Sequence, residues 1–229
     1  MPLIKVDHLL KAYKSGNDSR LLAVNDISFE IEKGEFVAIC GPSGSGKTTL
    51  LSMIAGMTTP TEGDIHIGKY SLNALNENQK AALRLKKIGI VYQSFNLIRN
   101  LTAAENVALP LLFAGNDYSD SLKAARNALK EVDINSGFGR HPFEFSGGQQ
   151  QRICIARAIV ANPSIILADE PTGNLDSENS NAIMNLFCDL LKNDRTILMI
   201  THNPICADFA DRILTISDGR LISDINNRK

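Results

Sequence analysis

Apolar and polar residues alternate with a period of two through Ile4-Lys5-Val6-Asp7-His8-Leu9, and again through Ile27-Ser28-Phe29-Glu30-Ile31-Glu32, which Lys33-Gly34 closes. That period predicts strands with one buried face. A polar stretch, Lys14-Ser15-Gly16-Asn17-Asp18-Ser19-Arg20, predicts a loop between them, and Glu62-Gly63-Asp64 turns into a third alternating piece at Ile65-His66-Ile67. Further on the pattern changes to short continuous apolar runs: Phe36-Val37-Ala38-Ile39-Cys40, Ile88-Gly89-Ile90-Val91-Tyr92, Ile165-Ile166-Leu167-Ala168, Thr196-Ile197-Leu198-Met199-Ile200 and Ile213-Leu214-Thr215-Ile216. Runs of this kind between helices imply a parallel sheet covered on both faces. The last run meets Asp218-Gly219, a hairpin signal.

Helical periods fill the intervals. They predict helices over Thr48–Ala55 with Gly56 as its stop, over 76–87, over Ala103–Phe113 with a kink at Pro110, and over Ser119–Val132 with Ser119 as N-cap. In the last of these Leu122, Ala125, Leu129 and Val132 share one face. Two more helices are expected, one from the Ser146 region to Ala161 and one over Glu178–Lys192. The result is a single α/β domain over 1–229. Residues 1–93 and about 161–229 form a mainly parallel sheet with an antiparallel β subdomain, and residues about 94–160 are an inserted helical subdomain.

Composition narrows the reading. The chain has 229 residues, 44% of them hydrophobic, enough for a real core. Its 24 basic residues against 25 acidic ones give no electrostatic reason to expect nucleic acid. Cys40, Cys154, Cys188 and Cys206 are scattered, without a C-x-x-C pair, and read as reduced cytosolic thiols. No apolar leader opens the chain and no apolar run has the length of a membrane span, so any membrane role is expected to come through a partner.

Three stretches carry chemistry. Gly41-Pro42-Ser43-Gly44-Ser45-Gly46-Lys47-Thr48-Thr49 fits the phosphate-loop pattern between a strand and a helix. Its glycines let backbone N–H groups turn toward a phosphate chain, and the helix N-terminus adds its positive end. Lys47 supplies a point charge and Thr48 a hydroxyl for Mg²⁺. The second stretch ends an apolar strand in Asp169-Glu170-Pro171. Neighbouring strand residues face opposite ways, but Pro171 argues that the chain turns here, which frees Asp169 for the Mg²⁺ shell and Glu170 for the attacking water. In the third, Phe145-Ser146-Gly147-Gly148-Gln149-Gln150-Gln151-Arg152 opens a helix with a hydroxyl and free N–H groups, a second anion site; the plainer reading is Ser146 as a helix cap.

This third stretch resembles the signature of ATP-binding-cassette (ABC) ATPases, and the other motifs of that family follow in order. Gln93 matches the Q-loop glutamine, Gly173-Asn174-Leu175-Asp176 the D-loop and His202 the switch histidine, and Tyr13 stands where an aromatic stacks on adenine. Tyr92–Leu97, Leu101–Val107 and Ala168–Asp176 resemble the lipoprotein-release and macrolide-export ATPases in particular. Phe145 departs from the usual leucine. The resemblance implies an ATPase that uses Mg²⁺, with Lys47, Gln93, Glu170 and His202 as catalytic groups and Thr48, Gln93 and Asp169 around the metal. It implies nucleotide contacts for Tyr13, for 41–49, for Ser146, Gly147, Gly148 and Gln149, and for Asp176.

The same resemblance implies two copies sandwiching ATP, one supplying Ser146, Gly147 and Gly148 to the nucleotide of its twin. It also implies a separate transmembrane permease, a peripheral cytoplasmic location on the membrane's inner face, and export or lipoprotein-, peptide- or macrolide-type extrusion. A regulatory ATPase acting on a cell-division or cell-wall-hydrolase complex is the alternative. DNA-repair heads of this family carry a long coiled-coil or zinc insertion before the signature, and soluble translation factors carry two cassettes; this sequence has neither feature.

Overall fold

The computed structural model of the protein describes residues 2–15, 19–192 and 194–227. In chain order its elements are strands β1 (Ile4–Ser15), β2 (Ser19–Ile31) and β3 (Phe36–Cys40), helix α1 (Lys47–Ile54), strands β4 (Glu62–Ile67) and β5 (Tyr70–Ser71), helix α2 (Glu77–Lys87), strand β6 (Ile88–Tyr92), and helices α3 (Ala103–Phe113) and α4 (Tyr118–Glu131). A short 3-10 turn (Pro142–Glu144) precedes α5 (Gly147–Ile159), β7 (Ile165–Asp169), α6 (Ser177–Leu191), β8 (Thr196–Ile200), α7 (Pro204–Ala207), β9 (Arg212–Ser217) and β10 (Arg220–Asn226). Two units divide the chain: Met1–Ala81 with Thr196–Lys229, and Ala82–Arg195.

In the first unit the alternating strands build an antiparallel sheet in the order β2-β1-β4-β5. β1 and β2 are longer than their alternation suggests and occupy most of the predicted polar loop; 16–18 lie outside the described residues. Ile4, Val6, Ile27, Ile31, Ile65 and Ile67 form its buried face. The continuous apolar strands behave differently, as expected of strands covered on both sides. β3 pairs in parallel with both β8 and β9, and β10 returns antiparallel to β9 through Asp218-Gly219. Both hairpin residues have positive φ, 50° and 74°, the geometry of a type I′ turn.

The second unit holds the parallel pair β6 and β7, with Ile88 opposite Ile165 and Tyr92 opposite Asp169. α3, α4 and α5 pack on one another, and α5 also packs on β6 and α6. α3 opens with a capping box: Thr102 accepts from the Glu105 N–H, and Glu105 accepts from the Thr102 N–H. The helix runs on through Pro110 to Phe113. α4 is capped by Asp117 and not by Ser119, which sits in the first turn; the Asp117 carboxylate accepts from the backbone of Ser119 at 2.8 Å. A carboxylate two residues earlier suits the positive end of the helix better than a hydroxyl. Ala125, Leu129 and Val132 are buried as their spacing predicts. Among the described residues no helix is long and apolar enough to cross a membrane, and the four cysteines are free thiols.

Candidate nucleotide site

In the first unit β3 delivers the chain into the 41–46 loop, and α1 begins at Lys47. The N-cap is Gly46 in the left-handed region, with no side-chain cap and no acidic residue in the first turn. The positive end of α1 is therefore left uncompensated by its own side chains, a ready anion site. Glycine is obligatory at two points. A Cβ on Gly41 would stand 2.0 Å from the Ile216 carbonyl oxygen, and one on Gly46 would stand 1.9 Å from that of Ala23. A Cβ on Gly44 would meet nothing within 4 Å. The loop is thus drawn tightly onto β9 and β2 at its two ends while Gly44 faces open space, a cradle shaped by backbone alone.

Lys47 is 6% exposed, and its ammonium donates to the carbonyls of Gly41 and Pro42 at 2.9 and 2.7 Å and to Ser45 Oγ at 3.4 Å. The charge is thereby held inside the loop. Thr48 is exposed beside it. Thr201, just past β8, donates its N–H to the Ile39 carbonyl, so β8 runs on beside β3 and places the exposed His202 next to the loop. His202 lines a cleft of about 430 Å³ with Cys40, Gly41, Pro42, Pro204 and Asp208. Burial raises the Cys40 thiol above its usual value and the Lys47 charge partly offsets this. Tyr13 lies on β1 opposite Leu21, two residues before Ala23; the residue is 42% exposed, and its ring lies under the Lys11 ammonium at 5.2 Å.

In the second unit β6 and β7 end side by side, which sets Gln93 and Glu170 on adjacent chain segments. Glu170 has φ 46°, a left-handed conformation rare for a residue of this type. The chain therefore does turn after Asp169, as Pro171 suggested. The Gly173 N–H bonds the Glu170 carbonyl at 3.0 Å, and the Asn174 amide bonds the Gln93 carbonyl at 2.9 Å. A Cβ on Gly173 would come within 2.6 Å of the Gln93 side-chain amide. Gln93, Asp169, Glu170 and the 173–176 loop are thus one cluster.

Ser146 caps α5 in a reciprocal box: its Oγ accepts from the Gln149 N–H at 3.3 Å, and its own N–H donates to Gln149 Oε1 at 3.0 Å. The Gln149 side chain is therefore part of the cap. A Cβ on Gly147 would touch Leu175 and Phe95 at ordinary contact distance, whereas one on Gly148 would strike Asn179 Oδ1 at 2.3 Å. Asp176 caps α6, accepting from the backbone and side chain of Asn179; those bonds, the backbone one foremost, hold its carboxyl below the usual range. Phe145, the departure from leucine, is 7% exposed under the Arg140 guanidinium at 4.7 Å. The larger ring is buried and gains a cation–π contact.

The ABC transporter family profile matches residues 24–173, which include the phosphate loop, Gln93, the α5 signature and Asp169-Glu170. The chain belongs to the ABC transporter family. It is 41% identical to an uncharacterized ABC transporter ATP-binding protein of Methanocaldococcus jannaschii, over 98% of this chain and 100% of that one. It is 42% identical to the macrolide export ATP-binding/permease protein MacB of Aggregatibacter actinomycetemcomitans, over all of this chain and 35% of the longer protein. The dimeric structure of MJ0796, a bacterial ABC transporter cassette, superposes with a TM-score of 0.91 at 41% identity, covering 99% of each chain. A second dimeric structure of that cassette, in a post-hydrolysis state bound to ADP and Pi, matches equally well at 40% identity. This chain is an ABC ATPase with the α/β cassette fold, of the group that includes the macrolide exporters.

The phosphate loop, the Asp169-Glu170 strand end and the signature helix were all legible as motifs. Three features were not. Arg157 and Cys154 on α5 bond the Phe95-Asn96 backbone, and Asn106 ties the 98–102 loop to α3. Each joins segments remote in sequence or bonds only to backbone, and neither relation leaves a residue pattern.

Proposed function

We propose that this ATPase drives a separate membrane permease by ATP-dependent association of two copies. The observation that carries the reading is the position of Gln93. It directly follows β6, whose last residue Tyr92 pairs with Asp169, and the residues just after it line a groove of about 340 Å³: Ser94, Phe95, Asn96, Leu97 and Arg99, together with Pro142, Phe143 and Gln150. A residue that reads bound nucleotide is thereby continuous with a surface suited to a partner's helix. The helical stretch of about 94–160 is the part that meets the permease.

Lys47 and the 41–49 amides take the phosphates, and Tyr13 stacks on the base. The donors fit Mg²⁺: the Thr48 hydroxyl, the Gln93 amide oxygen and the Asp169 carboxylate are hard oxygen ligands, too few for a closed cage, as suits an ion that keeps waters and phosphate oxygens. When bound, that ion neutralises phosphate charge. Glu170 accepts a proton from the water whose oxygen attacks the γ-phosphorus, the bond to the β–γ bridging oxygen breaks, and ADP leaves. His202 hydrogen-bonds the γ-phosphate. Ser146, Gly147, Gly148 and Gln149 of one copy, with Asp176 alongside, face the nucleotide of the other.

ATP then stabilises the closed pair, and its products do not. The dimeric MJ0796 cassettes and the permease-bearing MacB support two copies and a membrane partner. The cargo is extruded, of lipoprotein, peptide or macrolide type, and the ATPase sits on the inner face of the cell membrane only through its permease. Fractionation of cells with and without the candidate permease tests this: the ATPase is expected in the membrane fraction only with the permease, and membrane association unchanged by its loss refutes the reading.

A further inference from the structure

Gln93 is followed by a strained turn. Phe95 and Asn96 are consecutive non-glycine residues in the left-handed region, φ 59° and 52°. The Asn96 N–H bonds the Ser94 carbonyl at 2.6 Å, closing a γ-turn around Phe95 with positive φ, the rarer and more strained of the two γ-turn forms. Left-handed backbone costs a side-chain-bearing residue on the order of 1–2 kcal/mol, least for asparagine and not spared for phenylalanine. Such a conformation persists only where the surroundings over-determine it.

α5 supplies that determination. Arg157 donates through its two terminal nitrogens to the Asn96 and Phe95 carbonyls, at 2.6 and 2.8 Å, and the Cys154 thiol donates to the Phe95 carbonyl at 2.9 Å. Two carbonyls of one turn are thus held by a rigid, charged fork, which a lysine cannot reproduce. Cys154 is fully buried, and burial pushes its thiol up to about 12, so it remains a neutral donor. The far end of the Phe95 ring would be 4.0 Å from a Cβ placed on Gly147, which lies seven residues before Cys154 on α5 and so two turns up the same face. The turn after Gln93 is therefore pinned to the signature helix through the Phe95 and Asn96 carbonyls, and the Phe95 ring faces Gly147 near the start of that helix.

We propose that Arg157 is a positioning residue that locks the turn after Gln93 onto α5, so that Gln93 and the Ser146–Gly148 segment of one copy move as a unit. Resting on the two-copy reading above, this links the nucleotide that Gln93 reads in its own copy to the surface its copy offers to the partner's nucleotide. The phosphate loop around Lys47 is built from β3 and α1 of the other unit.

The test compares Arg157→Ala and Arg157→Lys in the full-length chain, alone and with Glu170→Gln. Melting temperature, equilibrium ATP affinity, kcat and KM are measured for the single variants, and ATP-dependent dimerisation by size-exclusion chromatography for the double ones. ATP affinity of the isolated chain is expected to stay within about two-fold, because Lys47 and the 41–49 loop are unchanged. kcat is expected to fall about ten- to a hundred-fold for alanine, the scale of a displaced catalytic group, with KM changed less and lysine falling in between. The alanine double variant should need at least about ten-fold more ATP to dimerise than its parent. Losses in kcat that only track an equal loss of ATP affinity and melting temperature make Arg157 a packing residue and overturn the proposal, as does an alanine variant with parental kcat. If the alanine variant does not fold, the lysine variant decides: parental kcat overturns the proposal, and a reduced kcat at unchanged ATP affinity supports it. A Glu170→Gln parent that stays monomeric with ATP defeats the two-copy reading instead, while the kcat comparison still decides the role of Arg157.

Discussion

The Asn174 side-chain amide donates to the backbone carbonyl of Gln93 at 2.9 Å, across 81 residues of sequence. That bond fixes the loop after Glu170 to the loop after β6, and Gly173 beside it leaves no room for a side chain: a methyl there would meet the Gln93 amide nitrogen at 2.6 Å. The obstructing atom is the far end of a flexible side chain, so Gly173→Ala is expected to displace Gln93 and leave the fold intact. Turnover should drop roughly ten-fold, the scale of a misplaced catalytic group, with little change in melting temperature or ATP affinity. Turnover equal to the parent would mean that Gln93 is not needed where it stands.

Glu170→Gln preserves size and hydrogen bonding but cannot take a proton. Phosphate release is expected to fall by about 10²–10⁴-fold, the usual contribution of a general base, with ATP affinity retained. Lys47→Ala is expected to do the converse, weakening ATP binding first, because the buried ammonium is the loop's own charge. Equilibrium titration and a phosphate-release assay separate the two; near-normal hydrolysis by the Glu170 variant rules out its role as base.

Most strands and helices were legible because the hydrophobic period switches between two, 3.6 and continuous runs, whereas the two-residue β5 and the four-residue α7 are too short to show a period. The phosphate loop was legible for a different reason: Gly41 and Gly46 are demanded by backbone contacts to Ile216 and Ala23, and that demand leaves a residue pattern. The α4 cap was misplaced because Asp117 and Ser119 are both good capping residues and only the geometry of the turn chooses between them. The clamp of Arg157 on Phe95 and Asn96 was invisible because backbone carbonyls have no sequence identity. For the same reason Ser146 offered two readings, and within one chain it is seen acting as a cap.

Asn106 is fully buried in α3 and accepts from the Ile98 N–H while donating to the carbonyls of Ile98, Leu101 and Thr102. Asn106→Leu has similar volume but removes the side-chain partner of the Ile98 N–H and the Leu101 carbonyl, while the Ile98 and Thr102 carbonyls keep the backbone N–H groups of Leu101 and of residue 106. A loss of roughly 1–3 kcal/mol is expected from urea denaturation. A midpoint unchanged from the parent would mean that the 98–102 loop finds other partners.

Arg212 bonds the Asp224 carboxylate through two nitrogens, at 2.6 and 2.5 Å, and reaches Glu35. The bond from Arg212 holds the Asp224 carboxyl below its usual value of 3.8 in the folded protein. Its contribution is therefore fully present at neutral pH and is lost as pH falls through the ordinary carboxylate range toward the depressed folded value. Asp224→Asn should lower the melting temperature near pH 7, and the difference from the parent should shrink on acidification. A difference that stays constant or grows in acid would exclude the pairing as its source.

Ser146 has two separable jobs under the two-copy reading: capping α5, and meeting a polyanion held by the other copy. Substitutions can be chosen to remove one job at a time. Asparagine and aspartate both cap helices well, so the end of α5 survives either change, whereas glutamate costs about 1 kcal/mol of capping as well. Only aspartate and glutamate bring negative charge, which a partner's phosphates would oppose in a poorly screened interface. In the Glu170→Gln background, where ATP is expected to produce a stable dimer on size-exclusion chromatography, Ser146→Asn should weaken dimerisation, and Ser146→Asp and Ser146→Glu should abolish it. All three should still bind ATP as monomers, since the loop around Lys47 is untouched. If the aspartate variant dimerises with ATP as well as its parent, Ser146 is a helix cap and nothing more, and the site shared between two copies is wrong.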